Sequence, residues 1–344
     1  MTQLFNLFIV RSPLQLMNAI EAKEHFSTKH NILLIMHNST TTSLASANST
    51  QMQLVSKLSE FDEKIEFYYS SNTKFSKLSS HAKLIRELQQ KNYEYIFSGD
   101  YGTINQLIIA NLKAQDVYLL DDGTTTLVTH ANKLHPSSKS PWGQNLKLLR
   151  YKLFGLNLKQ SNPINLFTNY SIEPHESEQI ISNDYNYFKK IYTKKAFKDE
   201  RIYLLGQPFT SGKLMTNEKY INYLKEIINY YKKEIIYIPH RAEIISDQLR
   251  ALVSDRFTLQ NNEGPIEIVF LSRNIYPEHI VSFYSAALFN IEKIFETTTI
   301  DAIRIDNKDL LRGHGNINLC YDGMRNTKIN VVKLNTTKSE KNEV

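Results

Sequence analysis

The chain has 344 residues, a length that suggests two domains, and 41% hydrophobic side chains, enough for sizeable cores. A single cysteine, Cys320, excludes a disulfide framework and a Cys-rich zinc site, and the low glycine and proline content excludes long collagen-like or low-complexity regions. The net charge of +6 favours anionic partners, although a chain rich in Asn, Lys, Ile and Tyr can carry it through composition alone.

From the N-terminus, MTQLFNLFIVRSPLQ shows neither a basic leader nor a small-residue cleavage site. The longest apolar runs fall short of the roughly 20 residues a membrane helix needs, so a cytoplasmic location is expected. Leu4–Val10 reads as a strand, followed by a helix over Pro13–Glu24 with Ser12 at its N-cap and Pro13 in its first turn. Asn31–Met36 and Ile65–Tyr68 read as strands and His81–Gln90 as a helix. Tyr93–Phe97 and Asp116–Leu120 read as strands flanking a helix over Thr103–Lys113. This alternation predicts a parallel sheet with helices on both faces.

Residues 138–200 break the series: SSKSPWGQNLKLLRYKLFGLNLKQ and YFKKIYTKKAFKDE mix Lys and Arg with Leu, Phe, Tyr and Trp142. A second series follows, with strands at Arg201–Leu205, Glu234–Ile238, Ile266–Leu271 and His279–Phe283, and helices over Asn217–Lys232 and from Ser285 to Asn290. The expected organisation is two α/β domains, 1–195 and 196–344, with a basic connector over about 138–200 in the first. The polar tail KLNTTKSEKNEV is expected to fray.

Four strand ends carry chemistry. In VYLLDDGTTT the apolar run Val117–Leu120 stops at Asp121, Asp122 and Gly123. An Asp-Gly turn accounts for Asp122 and Gly123. Asp121 is left where open α/β sheets bind ligands, so the pair is a turn, a metal site, or a catalytic base beside its support. In the second half, the strand in IYLLGQPF ends at Gly206, IIYIPHRAE delivers Pro239 and His240, and VSFYSAAL reaches Ser285 at a helix start. A helix N-terminus suits an anion, and His240 and Arg241 add donors for a phosphate. Glu267, on an expected strand, would accept from a base or sugar hydroxyl. Singly, Ser285 is accounted for as an N-cap and His240 as a loop residue; together the motifs point into one crevice.

In order, YLLDDGTTTL, IYLLGQPF, IIYIPHRAE and VSFYSAALFN, with the opening IVRSPLQLMNAIEA, resemble the bacterial lipooligosaccharide sialyltransferases of glycosyltransferase family 52. They resemble, more loosely, other bacterial sialyltransferases and polysialyltransferases. The resemblance implies a GT-B fold, two Rossmann-like domains with parallel sheets facing across a cleft. It implies an N-terminal acceptor domain and a C-terminal domain for CMP-sialic acid, with no metal and no other cofactor. His240 and Ser285 would contact the CMP phosphate, within a donor site of Gly206, Gln207, Pro239, Arg241, Glu267, Ser282 and Ala286.

Two departures matter. Arg241 replaces the second residue of the family's His-Pro motif. Phe209 of LGQPF stands where the lipooligosaccharide enzymes carry an acid proposed as the base. In related sialyltransferase families the Asp-Asp-Gly motif supplies the base, so the resemblance implies Asp121 as the base of an inverting transfer, with Asp122 orienting it or holding the turn. Ser12, Gln15, Asn18, Ser98, Asp100 and Gly123 are expected at the acceptor, although ordinary capping and turn chemistry also accounts for several of them.

The expected partners are a CMP-sugar donor and a glycan or glycolipid acceptor, such as a galactoside of a lipooligosaccharide or capsule-type glycan. Self-association as a dimer is left open. Alternatives are transfer of another sugar (pseudaminic or legionaminic acid from a CMP donor, or a hexose) and a non-catalytic membrane or nucleic-acid binder. No RNA-binding aromatic signature or single basic face supports nucleic acid. The stretch NLKLLRYKLFGLNLK sets Lys147, Arg150, Lys152 and Lys159 among leucines. It reads either as a half-buried interdomain helix with snorkelling lysines or as a peripheral contact with the inner membrane.

Overall fold

The computed structural model describes residues 3–37, 43–68, 74–134, 149–157, 159–160, 163–175, 177–191, 197–261 and 263–334. Trp142, Lys147 and the tail from residue 335 lie outside the described residues. The chain forms two compact units, Met1–Ile191 and Tyr192–Val344.

Unit 1 is a seven-stranded sheet of β1 (Leu4–Val10), β2 (Asn31–His37), β3 (Glu63–Tyr68), β4 (Asn92–Ser98), β5 (Ala114–Leu120), β6 (Asn165–Thr168) and β7 (Ile180–Ser182). Its order is β3-β2-β1-β4-β5-β6-β7, and every pairing is parallel. The central strands are continuous apolar runs because helices cover both faces. Those helices are α1 (Pro13–His25), α2 (Ser43–Ser56), α3 (Lys74–Leu88), α4 (Thr103–Asn111), the short α5 (Thr125–Thr129) and α6 (Asn186–Ile191). The Ser12 hydroxyl caps α1 by accepting from the Gln15 N–H at 3.3 Å, with Pro13 in the first turn.

Unit 2 is a six-stranded parallel sheet of β8 (Phe197–Leu205), β9 (Ile235–Ile238), β10 (Phe257–Leu259), β11 (Ile275–Ser282), β12 (Thr299–Ile303) and β13 (Asn330–Val332), in the order β10-β9-β8-β11-β12-β13. Its helices are α7 (Asn217–Tyr231), α8 (Asp247–Arg250), α9 (Ile266–Arg273), α10 (Ala286–Ile294) and α11 (His314–Gly323). Strand order reverses between β1 and β4 in unit 1 and between β8 and β11 in unit 2. At such a switch point the crevice at the carboxyl edge takes a ligand.

One expected strand is a helix. Ile266–Leu271 lies in α9, which starts after Pro265 and ends at Asn274 in the left-handed region (φ 54°). A short apolar run does not by itself distinguish a buried strand from a helix, and the parallel β10 and β11 need a crossover between them. The expected connector also contains sheet: β6 and β7 extend the first sheet beyond β5. Helix α2, in SLASANSTQMQLVS, has little intrinsic helix preference and forms where it packs on α1.

Phe209 is fully buried, with its ring centroid 5.1 Å from Tyr220 and 5.0 Å from Phe283, joining the loop after β8 to the end of β11. Phe209→Ala is expected to lower unfolding free energy by about 3–5 kcal/mol. Urea denaturation measures this, and a loss under about 1 kcal/mol would contradict the packing described.

Candidate active site

In unit 1 the ends of β1, β4, β5 and β6 present Arg11, Gly99–Asp100, Asp121–Asp122 and Asn169 along one edge, because all four strands run parallel. Asp121 continues the buried strand and is only 2% exposed. Its carboxylate accepts from the Thr168 hydroxyl at 2.6 Å and from the Asn169 N–H at 2.9 Å, fastening β5 to β6. Its backbone carbonyl accepts from the Asn18 amide at 2.9 Å. Burial pushes the Asp121 carboxyl up to about 7; the bonds from Thr168 and Asn169 oppose this, and the neighbouring Asp122 charge adds to it.

Asp122 is half-buried, and here chain direction turns outward through Gly123 at φ 64°. Asp122 accepts from the Gln15 amide at 2.7 Å, and its N–H donates to the Thr126 hydroxyl at 2.9 Å. Gln15 is held in turn, because its carbonyl oxygen accepts from the Arg11 N–H at 2.8 Å. Asp122 lines a cavity of about 180 Å³ with Arg11, Asp100, Tyr101, Thr129 and Lys133. Arg11 is ion-paired with Asp100 and donates to Asn105 at 2.8 Å. Asp100 also accepts from the Gly102 N–H at 2.6 Å at the start of α4.

These contacts divide the residues expected at the acceptor. Asp100 lines the cavity, and Gln15 orients a residue that does. Asn18 and Ser98 do not present free groups. The Asn18 side chain bonds Asp121, Asn183 and the Tyr185 hydroxyl, and the Ser98 hydroxyl bonds the Asp100 carbonyl and Asn105. Ser12 is committed as a cap. We place these three with the supports of the site, and Gly123 as its turn.

In unit 2 the ends of β8, β9 and β11 bring Gly206–Gln207, Pro239–His240–Arg241 and Ser285 to one edge. The Ser285 hydroxyl caps α10, accepting from the Ala287 N–H at 3.3 Å, and its own proton remains available to donate. His240 accepts at Nδ1 from the Ala242 N–H at 3.1 Å, which puts the proton of the neutral ring on Nε2. Burial first, then the Arg241 charge, pushes His240 down to about 4. The ring is therefore a neutral Nε2–H donor at pH 7.

Sequence reasoning missed Glu243, three residues after His240 in the same motif. Its carboxylate accepts from the His240 N–H at 3.0 Å and from the Tyr237 hydroxyl. Tyr237 shares a 2.7 Å bond with Tyr220, whose hydroxyl accepts from the Gln207 N–H at 3.3 Å. The loops after β8 and β9 are thus bonded through one buried chain, and burial pushes Glu243 up to about 7. Gly206 must lack a side chain, because a Cβ there would collide with Glu243 and Tyr237.

Two residues expected at the donor are buried and bonded within the fold, and the expected strand that carried Glu267 is a helix. Glu267 sits on α9, buried, and accepts from Asn290 at 2.6 Å, so it braces α9 against α10. Ser282 is buried and donates to the Leu205 carbonyl at 2.8 Å, tying β11 to β8. Ala286 is the first residue of α10 and places its backbone beside Ser285.

The chain resembles the UDP-GlcNAc 2-epimerase of Methanocaldococcus jannaschii at 13% identity and a TM-score of 0.52, over 97% of this chain and 90% of that one. The same enzyme in complex with UDP-GlcNAc and UDP matches at 13% identity and a TM-score of 0.51, over 97% and 89%. At this identity the likeness concerns the fold, and with the two doubly wound units it defines the GT-B class. Residues 6–304 match the alpha-2,8-polysialyltransferase (POLYST) family, and the chain belongs to that family. It is therefore a glycosyltransferase of sialyltransferase type. No curated protein matches it.

The Asp121 bonds have a pH consequence. A carboxyl raised in the folded state from 3.8 to about 7 favours the protonated fold. Its stabilising contribution is complete below the unfolded value and is lost as pH rises through about 7. Asp121→Asn, able to donate to Thr168 and accept from Asn169, is expected to flatten stability between those pH values. Asp121→Ala should cost about 1–3 kcal/mol through its stranded partners. Denaturant titrations across that range test both, and an unchanged pH slope in Asp121→Asn would refute the assignment.

Proposed function

We propose that the protein is an inverting, metal-independent sialyltransferase that uses CMP-sialic acid, with the acceptor glycan on unit 1 and the donor on unit 2. The observation that carries this reading is the division of labour at the two carboxyl edges in a member of a sialyltransferase family. One edge holds an oriented carboxylate in a cavity; the other holds a neutral histidine and a serine-capped helix start. On this reading Asp122, rather than the buried Asp121, takes the proton of the acceptor hydroxyl. Gln15 aims Asp122, and Arg11, Asp100 and Lys133 surround the acceptor. The deprotonated oxygen attacks the anomeric carbon, and CMP leaves from the opposite face. The His240 Nε2–H, the Ser285 hydroxyl and the N–H groups of α10 receive the charge that grows on the phosphate. Arg241 adds a fixed cation at the same edge.

Two measurements test the reading. CMP at 100 times its dissociation constant should stabilise the protein by about 2.7 kcal/mol in thermal unfolding. A shift with UDP and none with CMP would reject the donor. In transfer assays with CMP-sialic acid, Asp122→Asn should lose about 10²–10⁴-fold in kcat while CMP still binds, and Asp121→Asn should lose far less. The opposite ranking would return the role of base to Asp121. Activity that EDTA abolishes and Mg²⁺ restores would sink the metal-independent mechanism.

A further inference from the structure

We infer that the N-terminal end of α3 and the segment 149–155 form a docking face for an anionic phospholipid membrane. Three large apolar side chains stand in solvent there: Leu153 at 87% exposure, Phe75 at 70% and Leu149 at 52%. The fold does not need them outside. The segment is anchored by Tyr151 and Leu156, which join the unit 1 core, and the Tyr151 hydroxyl meets His81 at 3.3 Å. The two pieces are one surface: the Phe75 and Phe154 rings lie 5.5 Å apart, and Arg86 on α3 donates to the Phe154 carbonyl at 2.9 Å. Leu149 and Leu153 are four residues apart, and Phe75 reaches the same region from α3.

Charge complementarity identifies the occupant. Lys77, Arg150 and Lys152 are exposed among these apolar groups. Among the described residues of the two pieces, 74–86 and 149–157 contain no Asp or Glu. Lys77 and Arg150 also line a cavity of about 390 Å³ with Arg11, His81 and Tyr151, and no carboxylate lines it among the described residues. Burial and the charges of Lys77, Arg11 and Arg150 hold His81 down to about 4, a sign that the cations converge there. An apolar group flanked by cations and free of carboxylates fits an interface where side chains enter the acyl boundary and phosphates meet the basic rim. Among the described residues no helix is long and apolar enough to cross a membrane, so this face would lie on the bilayer. The inference stands whether or not the donor assignment does.

Co-sedimentation of the full chain with phosphatidylcholine vesicles, with and without about one-third phosphatidylglycerol, tests this. Wild type should bind the anionic vesicles at low salt and bind pure phosphatidylcholine far less. Lys77→Gln/Arg150→Gln/Lys152→Gln should lower partitioning by about 10²-fold, given about fivefold per basic residue. Phe75→Ser/Leu153→Ser should remove the fraction that survives high salt, with an unchanged Tm because both side chains are exposed. Leu153→Ser alone, the least disruptive change, should bind measurably less while transfer to a soluble acceptor persists. Equal binding to both vesicle types, or wild-type binding by Phe75→Ser/Leu153→Ser, overturns the proposal. So does a dimer that Leu153→Ser converts to monomer with vesicle binding intact, because the face would then belong to a second copy.

Discussion

The buried carboxylate of Asp121 is the constraint on which the first site depends. A carboxyl group at the end of a strand closed on both faces loses its hydration, a cost tolerated only where donors replace the water. Thr168 and Asn169 supply them, and in doing so they hold β6 against β5 at the edge. With Asp121 fixed, the next residue leaves the sheet in one direction, and Gly123 permits the turn. Asp122 therefore arrives at the cavity already oriented, with Gln15 meeting it from α1. One acid organises and its neighbour is presented, and the two environments differ by a single step along the chain.

Unit 2 solves the same problem with other residues. Glu243 is buried beneath the loop that carries His240 and binds that loop by its backbone N–H. Through Tyr237 and Tyr220 it also reaches the backbone of Gln207, after the neighbouring strand. Such a chain is costly if any member is missing and rigid when all are present. Rigidity suits groups that must meet a developing charge without rearranging. The absence of a side chain at Gly206 follows from this chain, since Glu243 and Tyr237 occupy the space a Cβ would take.

Much of this was legible in the sequence, and the failures have specific causes. The alternating apolar runs gave the parallel strands and two α/β domains, the family resemblance gave the GT-B class, and the ends of those runs drew attention to Asp121, Asp122, Gly206, His240 and Ser285. Within the acidic pair the turn signal at Asp122–Gly123 accounted for Asp122 and pointed to Asp121 as the base, whereas the proposed reading gives that role to Asp122. Continuation of the fully buried run Val117–Leu120 is what puts Asp121 inside. Thr168 and Asn169 were invisible because a four-residue strand inside a basic stretch carries no periodic signal. Glu267 was expected at the donor because the apolar run Ile266–Leu271 read as a strand, and Ser282 because a polar residue at a strand end can brace as well as bind. Glu243 stood in the quoted motif, but only the fold brings it under His240.

The neutral state of His240 bears on the proposed chemistry. A CMP-sugar holds one negative charge on its phosphodiester, and departing CMP moves toward a phosphomonoester with more charge on the oxygens that the proposed reading sets against the His240 ring. A permanent cation attracts both states and spends part of its effect on the substrate. A neutral N–H donor interacts modestly with the diester and more strongly as charge builds, which is the differential that lowers a barrier. Burial keeps His240 in that state, and the Ala242 N–H keeps its proton on the nitrogen that faces outward from the loop's own bond. On the proposed reading Arg241 carries the steady attraction for the nucleotide, and the two adjacent residues divide binding from charge stabilisation. On that reading an arginine at the motif's second position would add donor affinity without converting the histidine to imidazolium, because burial and the guanidinium charge both disfavour protonation of His240.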